Sequence, residues 1–246
     1  MQPLLSSVNN PLIKEVLKLK TVKGRQKATL FIVEGQRACA TFIEHGYKPV
    51  HLFVTEKNLD AAEKLSKNVL LVTQILFAKI SSAKTPSGIL AVFSIPDHAN
   101  SKKLSAGLVL ADIADPGNMG TLIRSAAAFN YKTVVIVGGC NPYSPKVIQA
   151  TAGTLPLVNL FLYSWPELLD RKKNLTLAAL VVKDGQGLET CNNETLFVVG
   201  NEARGINAEY LKDCDQLITL PMPGKTESLN AAVAGSLVLA LHKLKK

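Results

Sequence analysis

Apolar positions along the chain fall into two textures that meet near residue 100. In the first part they recur at mixed spacings. Ile13, Val16, Leu17 and Lys20 lie on one side at helical spacing while Lys14 and Lys18 fall off it, so Leu12–Lys27 predicts a basic amphipathic helix followed by a turn. Thr29–Val33 is a short apolar run, and Glu34-Gly35-Gln36-Arg37 opens a second helix through Phe42. Val50–Thr55 predicts a strand, Asp60–Leu65 a helix and Val69–Val72 another strand, and Gly88–Phe93 closes the unit as a strand. Strands and helices alternating in this way predict a small α/β domain.

Ser94–Ala106 is polar, contains Pro96 and carries two adjacent lysines, which is linker composition. Beyond it the apolar runs become shorter and richer in β-formers: Leu108–Ile113, Thr133–Val137, Leu175–Val181, Leu196–Val199 and Gln216–Leu220. Helical patterns lie between them at Met119–Phe129 and Pro145–Ala152, and a long helix, Ser228–Leu244, ends the chain. Strands this apolar, separated by helices, predict a parallel sheet covered on both faces. The expected division is a basic helix over 1–28, a small α/β domain over 29–95, a linker over 96–106 and a larger α/β domain over 107–246.

Composition narrows the class. Of 246 residues, 47% are hydrophobic and 19% charged, as in a globular protein. No apolar run reaches the roughly 18 to 20 residues that cross a bilayer, so no membrane partner is expected. The first residues lack the basic-then-apolar order of a secretory signal, and a cytoplasmic location is expected. An organelle protein stripped of its transit peptide would read the same. Cys39, Cys140, Cys191 and Cys214 are scattered and His45, His51, His98 and His242 show no ligand spacing, so buried reduced thiols and no metal are expected. Charge adds a direction. Residues 1–105 hold 15 Lys and Arg against 7 Asp and Glu, while the rest holds 13 against 12. A surface this basic attracts polyanions by releasing their counterions, although it also serves solubility.

Ligands of open parallel α/β sheets bind beyond the carboxyl ends of the strands, and three strand-end loops stand out. Leu108–Ile113 leads into Asp115-Pro116-Gly117-Asn118-Met119-Gly120, with Arg124 one helical turn past Gly120 and able to point back. Leu196–Val199 leads into Gly200-Asn201-Glu202-Ala203-Arg204-Gly205, whose carboxylate can approach a hydroxyl. Gln216–Leu220 leads into Pro221-Met222-Pro223-Gly224-Lys225-Thr226-Glu227-Ser228-Leu229-Asn230, where Glu227 or Ser228 is the expected helix cap. Each loop alone also reads as an ordinary turn. The Gly-Lys-Thr string is not a phosphate loop, because Thr219 stands where that motif needs glycine, and no GxGxxG or GxSxG occurs.

Taken together, in this order, the three loops resemble the signature motifs of the SpoU family of RNA ribose methyltransferases, in the SPOUT superfamily. The first matches at Asp115, Pro116, Asn118, Gly120 and Arg124. The second matches at Gly200, Asn201, Glu202 and Gly205, and the third at Pro221, Met222, Glu227, Ser228, Leu229 and Asn230. Ser144-Pro145-Lys146 through Ala152-Gly153 is a fourth matching stretch, with Gln149 and Thr151 where Arg and Ser are commoner. The resemblance spans about residues 106–244, and residues 30–95 are similar to the family's substrate-binding module.

The resemblance implies a parallel-sheet SPOUT catalytic domain with a C-terminal trefoil knot, preceded by a small α/β RNA-binding domain. It implies S-adenosyl-L-methionine as methyl donor, held by Gly200, Leu220, Leu229, Ser228 and Asn230. Arg124 and Glu202 are implied as catalytic groups and Asn118 as an orienting hydrogen-bond partner. The implied activity is 2′-O-methylation of a ribose in RNA by a homodimer, with ribosomal RNA favoured over transfer RNA. A non-catalytic RNA-binding protein of the same fold and a base methyltransferase of the superfamily are the rival expectations.

Overall fold

A computed structural model describes residues 4–97 and 103–244, so residues 98–102 of the expected linker lie outside the described residues. Contacts gather the described residues into two units. One holds 4–97 with 141–156, the other 103–140 with 157–244.

In the first unit, the stretch Leu12–Lys27, expected as a helix followed by a turn, is two helices, α1 (Pro11–Leu19) and α2 (Val22–Ala28). The break has a local cause that hydrophobic spacing does not register. The Thr21 hydroxyl donates to the carbonyl of Lys18 at 2.9 Å and accepts from the amide of Gly24 at 3.0 Å, closing one helix and capping the next. Gly24 is required there, because a Cβ would lie 2.0 Å from the Lys18 carbonyl oxygen. Ile13, Val16 and Leu19 face the core, while Lys20 leaves it and donates to the carbonyls of Lys79 and Ser81.

Strands β1 (Leu30–Glu34), β2 (Pro49–Val54), β3 (Leu70–Leu71) and β4 (Ile89–Ser94) form a sheet in the order β1-β4-β2-β3. β4 runs antiparallel to both neighbours, and β3 is parallel to β2. Helices α3 (Gln36–Glu44), α4 (Leu59–Glu63) and α5 (Gln74–Ile80) complete the alternation. Side chains alternate across the pleat. Ile32, Phe53, Leu90 and Val92 pack on one face against α1 and α5. Phe31 and Phe93 on the other meet Phe42 of α3 at centroid separations of 5.7 and 5.3 Å, and Tyr143 lies 4.9 Å from Phe31. The segment 141–156, with α7 (Pro145–Ala150), thus supplies an aromatic to this unit's core. The nearly inaccessible Arg25 donates to the carbonyls of Leu19 and Lys20 and to Oδ1 of Asn141.

The second unit is a six-stranded, all-parallel sheet in the order β10-β8-β9-β5-β6-β7. Its strands are β5 (Gly107–Ala111), β6 (Thr133–Val137), β7 (Asn159–Leu162), β8 (Thr176–Leu180), β9 (Thr195–Val199) and β10 (Gln216–Ile218). β5, β6 and β9 are buried at every residue, which is why they read as unbroken apolar runs. One face packs on α8 (Trp165–Arg171) through Trp165 and Leu168. The other meets α6 (Pro116–Ala128) and α10 (Ala231–Leu244), where Gly235 sits so close that a Cβ would press on Leu122 and Val199. The short β7, α8 and α9 (Ala208–Lys212) are elements that the hydrophobic pattern leaves unannounced.

α10 begins at Ala231, not Ser228. Its cap is Asn230, whose Oδ1 accepts from the amides of Ala232 and Val233, and not Glu227 or Ser228. None of the described helices is long and apolar enough to cross a membrane.

Gly107 opens β5 with its would-be Cβ 2.0 Å from the Thr133 carbonyl oxygen on the neighbouring strand. Gly107→Ala is expected to cost about 1–3 kcal/mol through overpacking, read as a lower urea midpoint at unchanged slope.

Candidate active site

The loops at the carboxyl ends of β5 and β9 are joined by Glu202 and Asn201, and Asn118 links them to the segment after β10. After β5 the chain turns at Asp112, in the left-handed region at φ 57°, and reaches the start of α6. There the Asp115 side chain accepts from the Asn118 amide at 2.8 Å and Pro116 occupies the first turn, where a missing N–H costs nothing. After β9, Asn201 and Gly205 exchange backbone hydrogen bonds of 3.0 and 2.9 Å. The Asn201 side chain accepts from the amides of Ala203 and Arg204 and donates to the carbonyl of Asp112. Glycine is needed at both ends of this hairpin. Gly205 has φ 70°, and a Cβ on Gly200 would fall 2.4 Å from the Gly205 carbonyl carbon.

The hairpin aims Glu202 at the first loop. Its two oxygens accept from the amides of Ala114 and Asp115, each at 3.1 Å, and from Nδ2 of Asn118 at 2.9 Å. Asn118 then accepts from Nδ2 of Asn230 at 3.1 Å, and Asn230 caps α10. A chain of hydrogen bonds therefore links the loop after β9 to the loop after β5 and to the segment after β10. Partial burial pushes the Glu202 carboxyl up, but the bond from Asn118, its own backbone and the amides of Ala114 and Asp115 outweigh it, holding it below the ordinary carboxylate range. An ionised carboxylate with three donors is a weak base and a firm anchor.

Beside this network lies a cavity of about 380 Å³ beyond the ends of β8, β9 and β10. Gly200, Glu202, Leu220, Ser228 and Leu229, all singled out from sequence, line it. Asn118 and Asn230 adjoin it through the hydrogen-bond chain but do not line it. Arg124 is not brought to it: the side chain is exposed on α6 and makes no hydrogen bond or ion pair among the described residues. Sequence reasoning missed Val181 and Val182 in the wall and gave Met222 only as a motif match. Val181 and Val182 follow an ordinary β-rich run, so nothing but the neighbouring position of β8 and β9 marks them. The lining joins apolar side chains to strand-end backbone groups, which suits a ligand with a flat apolar part and polar edges.

No group of three His, Cys, Asp or Glu among the described residues is placed to hold a metal ion. Only Cys39 of the cysteines is fully buried; Cys140, Cys191 and Cys214 are half-buried, short of the burial expected for all four. Burial raises the thiols of Cys39 and Cys214 to about 12 and that of Cys140 to about 11, so these three are thiols at neutral pH.

Residues 105–240 match the SpoU rRNA methylase family. The chain belongs to that family. Residues 10–91 match an MRM3-like substrate-binding domain. An uncharacterized tRNA/rRNA methyltransferase of Synechocystis is 32% identical, covering 96% of this chain and 91% of the relative. A 23S rRNA (guanosine(2553)-2′-O)-methyltransferase of Bacillus subtilis is 26% identical, covering 96% of this chain and 97% of the relative. An AdoMet-bound rRNA methyltransferase from Sinorhizobium meliloti superposes with a TM-score of 0.88 at 21% identity, covering 99% and 98% of the two chains, and shares the fold.

The depressed carboxyl carries a pH signature. A carboxylate stabilised in the folded state contributes above its unfolded value, about 4.3 for glutamate, and loses that contribution as pH falls through its folded value. Protection of the Ala114 and Asp115 amides, taken relative to their intrinsic exchange rates, should hold above the unfolded glutamate value of about 4.3 and be lost as pH falls through the lower folded value. In Glu202→Gln it should be lost at neutral pH already.

Proposed function

We propose that this chain transfers a methyl group from S-adenosylmethionine to a ribose 2′-hydroxyl of RNA, with ribosomal RNA the favoured substrate. The observation that carries the reading is the Glu202–Asn118–Asn230 network beside an apolar-walled cavity, in a chain of the SpoU family. Relatives named for 2′-O-methylation of ribosomal RNA support it. So does the AdoMet-bound neighbour.

Gly200, Leu220, Ser228 and Leu229 are assigned to hold the cofactor, with Asn230 fixing the segment that carries the last two. Their chemistry fits: the walls are apolar, and Gly200 leaves its backbone open to a ligand. S-adenosylmethionine, when bound, supplies a sulfonium methyl that is already activated for displacement. What remains for the protein is to align the hydroxyl in line and manage its proton. Glu202 and Asn118 act as positioning residues that hold the loop after β5 against the segment after β10. Arg124 supplies a guanidinium to the RNA phosphate and to the developing alkoxide, stabilising their charge as the hydroxyl proton passes to solvent water.

Arg124 stands away from its own cavity, which favours its acting on a second copy of the chain. α10 supports a homodimer. Val233, Leu237 and Leu241 form a stripe at four-residue spacing and are 46%, 41% and 47% exposed, with Leu244 continuing it. With the family's fold comes a trefoil knot threaded by the segment after β10. The basic first unit is assigned to RNA, which alone offers the 2′-hydroxyl.

Radiolabelled S-adenosylmethionine with ribosomal and transfer RNA in separate tubes tests this. Label is expected in ribosomal RNA as an alkali-resistant dinucleotide, with Arg124→Ala slowed about a hundredfold or more, as for loss of one transition-state donor. Alkali-sensitive label would place the methyl on a base and overturn the ribose assignment. Leu237→Glu with Leu241→Glu is expected to sediment as a monomer where the wild type sediments as a dimer.

A further inference from the structure

Mostly at the amino ends of β5, β8 and β9, and sharing no lining residue with the cavity beside Glu202, lies a groove of about 390 Å³. Lys103 and Leu104 precede β5, Leu175 precedes β8 and Glu194 precedes β9; Tyr163 and the turn that ends α8 complete the wall. Five-residue strands separate the two ends of the sheet by roughly 16 Å at about 3.3 Å per residue. The groove is therefore distinct from the cavity beside Glu202.

Four cations reach it, Lys103, Arg171, Lys172 and Lys173, against two carboxylates, Asp170 and Glu194. Lys172 is satisfied by Asp215 at 3.1 Å. The Arg171 guanidinium stands 5.1 Å from the centroid of the Tyr163 ring, which holds it without neutralising it. Lys103 and Lys173 form no ion pair among the described residues.

Basic residues at the end of a helix complement its dipole, and Arg171 needs no other explanation than that. Lys173 and Lys103 do. Lys173 has φ 50°, in the left-handed region that is costly for a side-chain-bearing residue. It follows the end of α8, where glycine or asparagine would avoid that cost. Lys103 comes from a different segment and lies at no helix end among the described residues. Cations gathered from separate segments repel one another, and with Lys172 paired to Asp215 the carboxylates of Asp170 and Glu194 offset two of the remaining three, leaving room for an added anion.

We infer that this groove is a second RNA contact, in which Lys103, Arg171 and Lys173 grip phosphates of the substrate strand remote from the methyl-transfer site. The inference rests on RNA being the substrate of the proposed activity. Phosphates ask only for cations within reach. An acidic peptide would also need apolar pockets, and Leu104 and Leu175 already pack against the core beneath the groove.

The test compares the full-length wild type with Lys103→Ala/Lys173→Gly, in which glycine also relieves the strained turn and keeps the fold. The probe is a fluorescein-labelled, mixed-sequence 40-nucleotide single-stranded RNA, titrated across a series of KCl concentrations. Loss of two phosphate contacts should weaken binding about tenfold at low salt and flatten the log–log salt dependence by about 1.4, at roughly 0.7 per contact for single strands. S-adenosylmethionine affinity and melting temperature should hold. Unchanged RNA affinity and slope in the folded variant overturn the groove while leaving methyl transfer standing. A flattened slope in a protein that transfers no methyl to any RNA overturns the activity and leaves the groove standing. Weakened binding of labelled polyglutamate with RNA binding untouched assigns the groove to an acidic protein and overturns the RNA contact.

Discussion

Glu202 is the point on which the arrangement of the second unit's loops depends. Three loops leave three different strands, and side-chain hydrogen bonds tie them to one another. The loop after β5 lends Glu202 two backbone amides and the Asn118 side chain, and Asn118 passes the constraint on to Asn230. Because Asn230 also caps α10, the start of the last helix and the edge of the cavity are set by the same hydrogen-bond chain. A neutral group of the same shape would accept fewer of these bonds, and charge-assisted ones are roughly twice as strong as neutral ones.

That constraint changes how the carboxylate is understood. A carboxylate in a strand-end loop invites a role as proton acceptor. Three donors and a lowered pKa, hence a weaker base, point instead to a residue that holds geometry. The glycines serve the same end. Gly200 and Gly205 let the hairpin close tightly enough to bring Glu202 within 3.1 Å of amides 87 and 88 positions earlier in the chain.

The first unit shows a different economy. Its sheet is covered on both faces, by α1 and α5 on one and by an aromatic cluster on the other. Part of that second cover, Tyr143 and the segment around it, comes from far along the chain. The buried guanidinium of Arg25 meets Asn141 and two helix-end carbonyls, neutral acceptors that satisfy its donors without neutralising the charge.

By itself the sequence determined where the buried strands lie, because a strand buried on both faces admits only apolar residues, and β6 is read from it residue for residue. It also marked the loops after β5, β9 and β10, since Gly, Pro and Asn are chosen there for backbone shape. Short elements escaped it: β7 has four residues and α9 five, too few for a period to show. The split between α1 and α2 escaped for another reason, as one threonine hydroxyl competes with the helix without disturbing hydrophobic spacing. Only the tertiary structure decided that Asn118, Glu202 and Asn230 form one chain, that Val181 joins the cavity wall, and that Arg124 is exposed and does not line it. Those outcomes depend on which strands become neighbours and on hydrogen bonds between groups as many as 112 residues apart, and no local pattern encodes either.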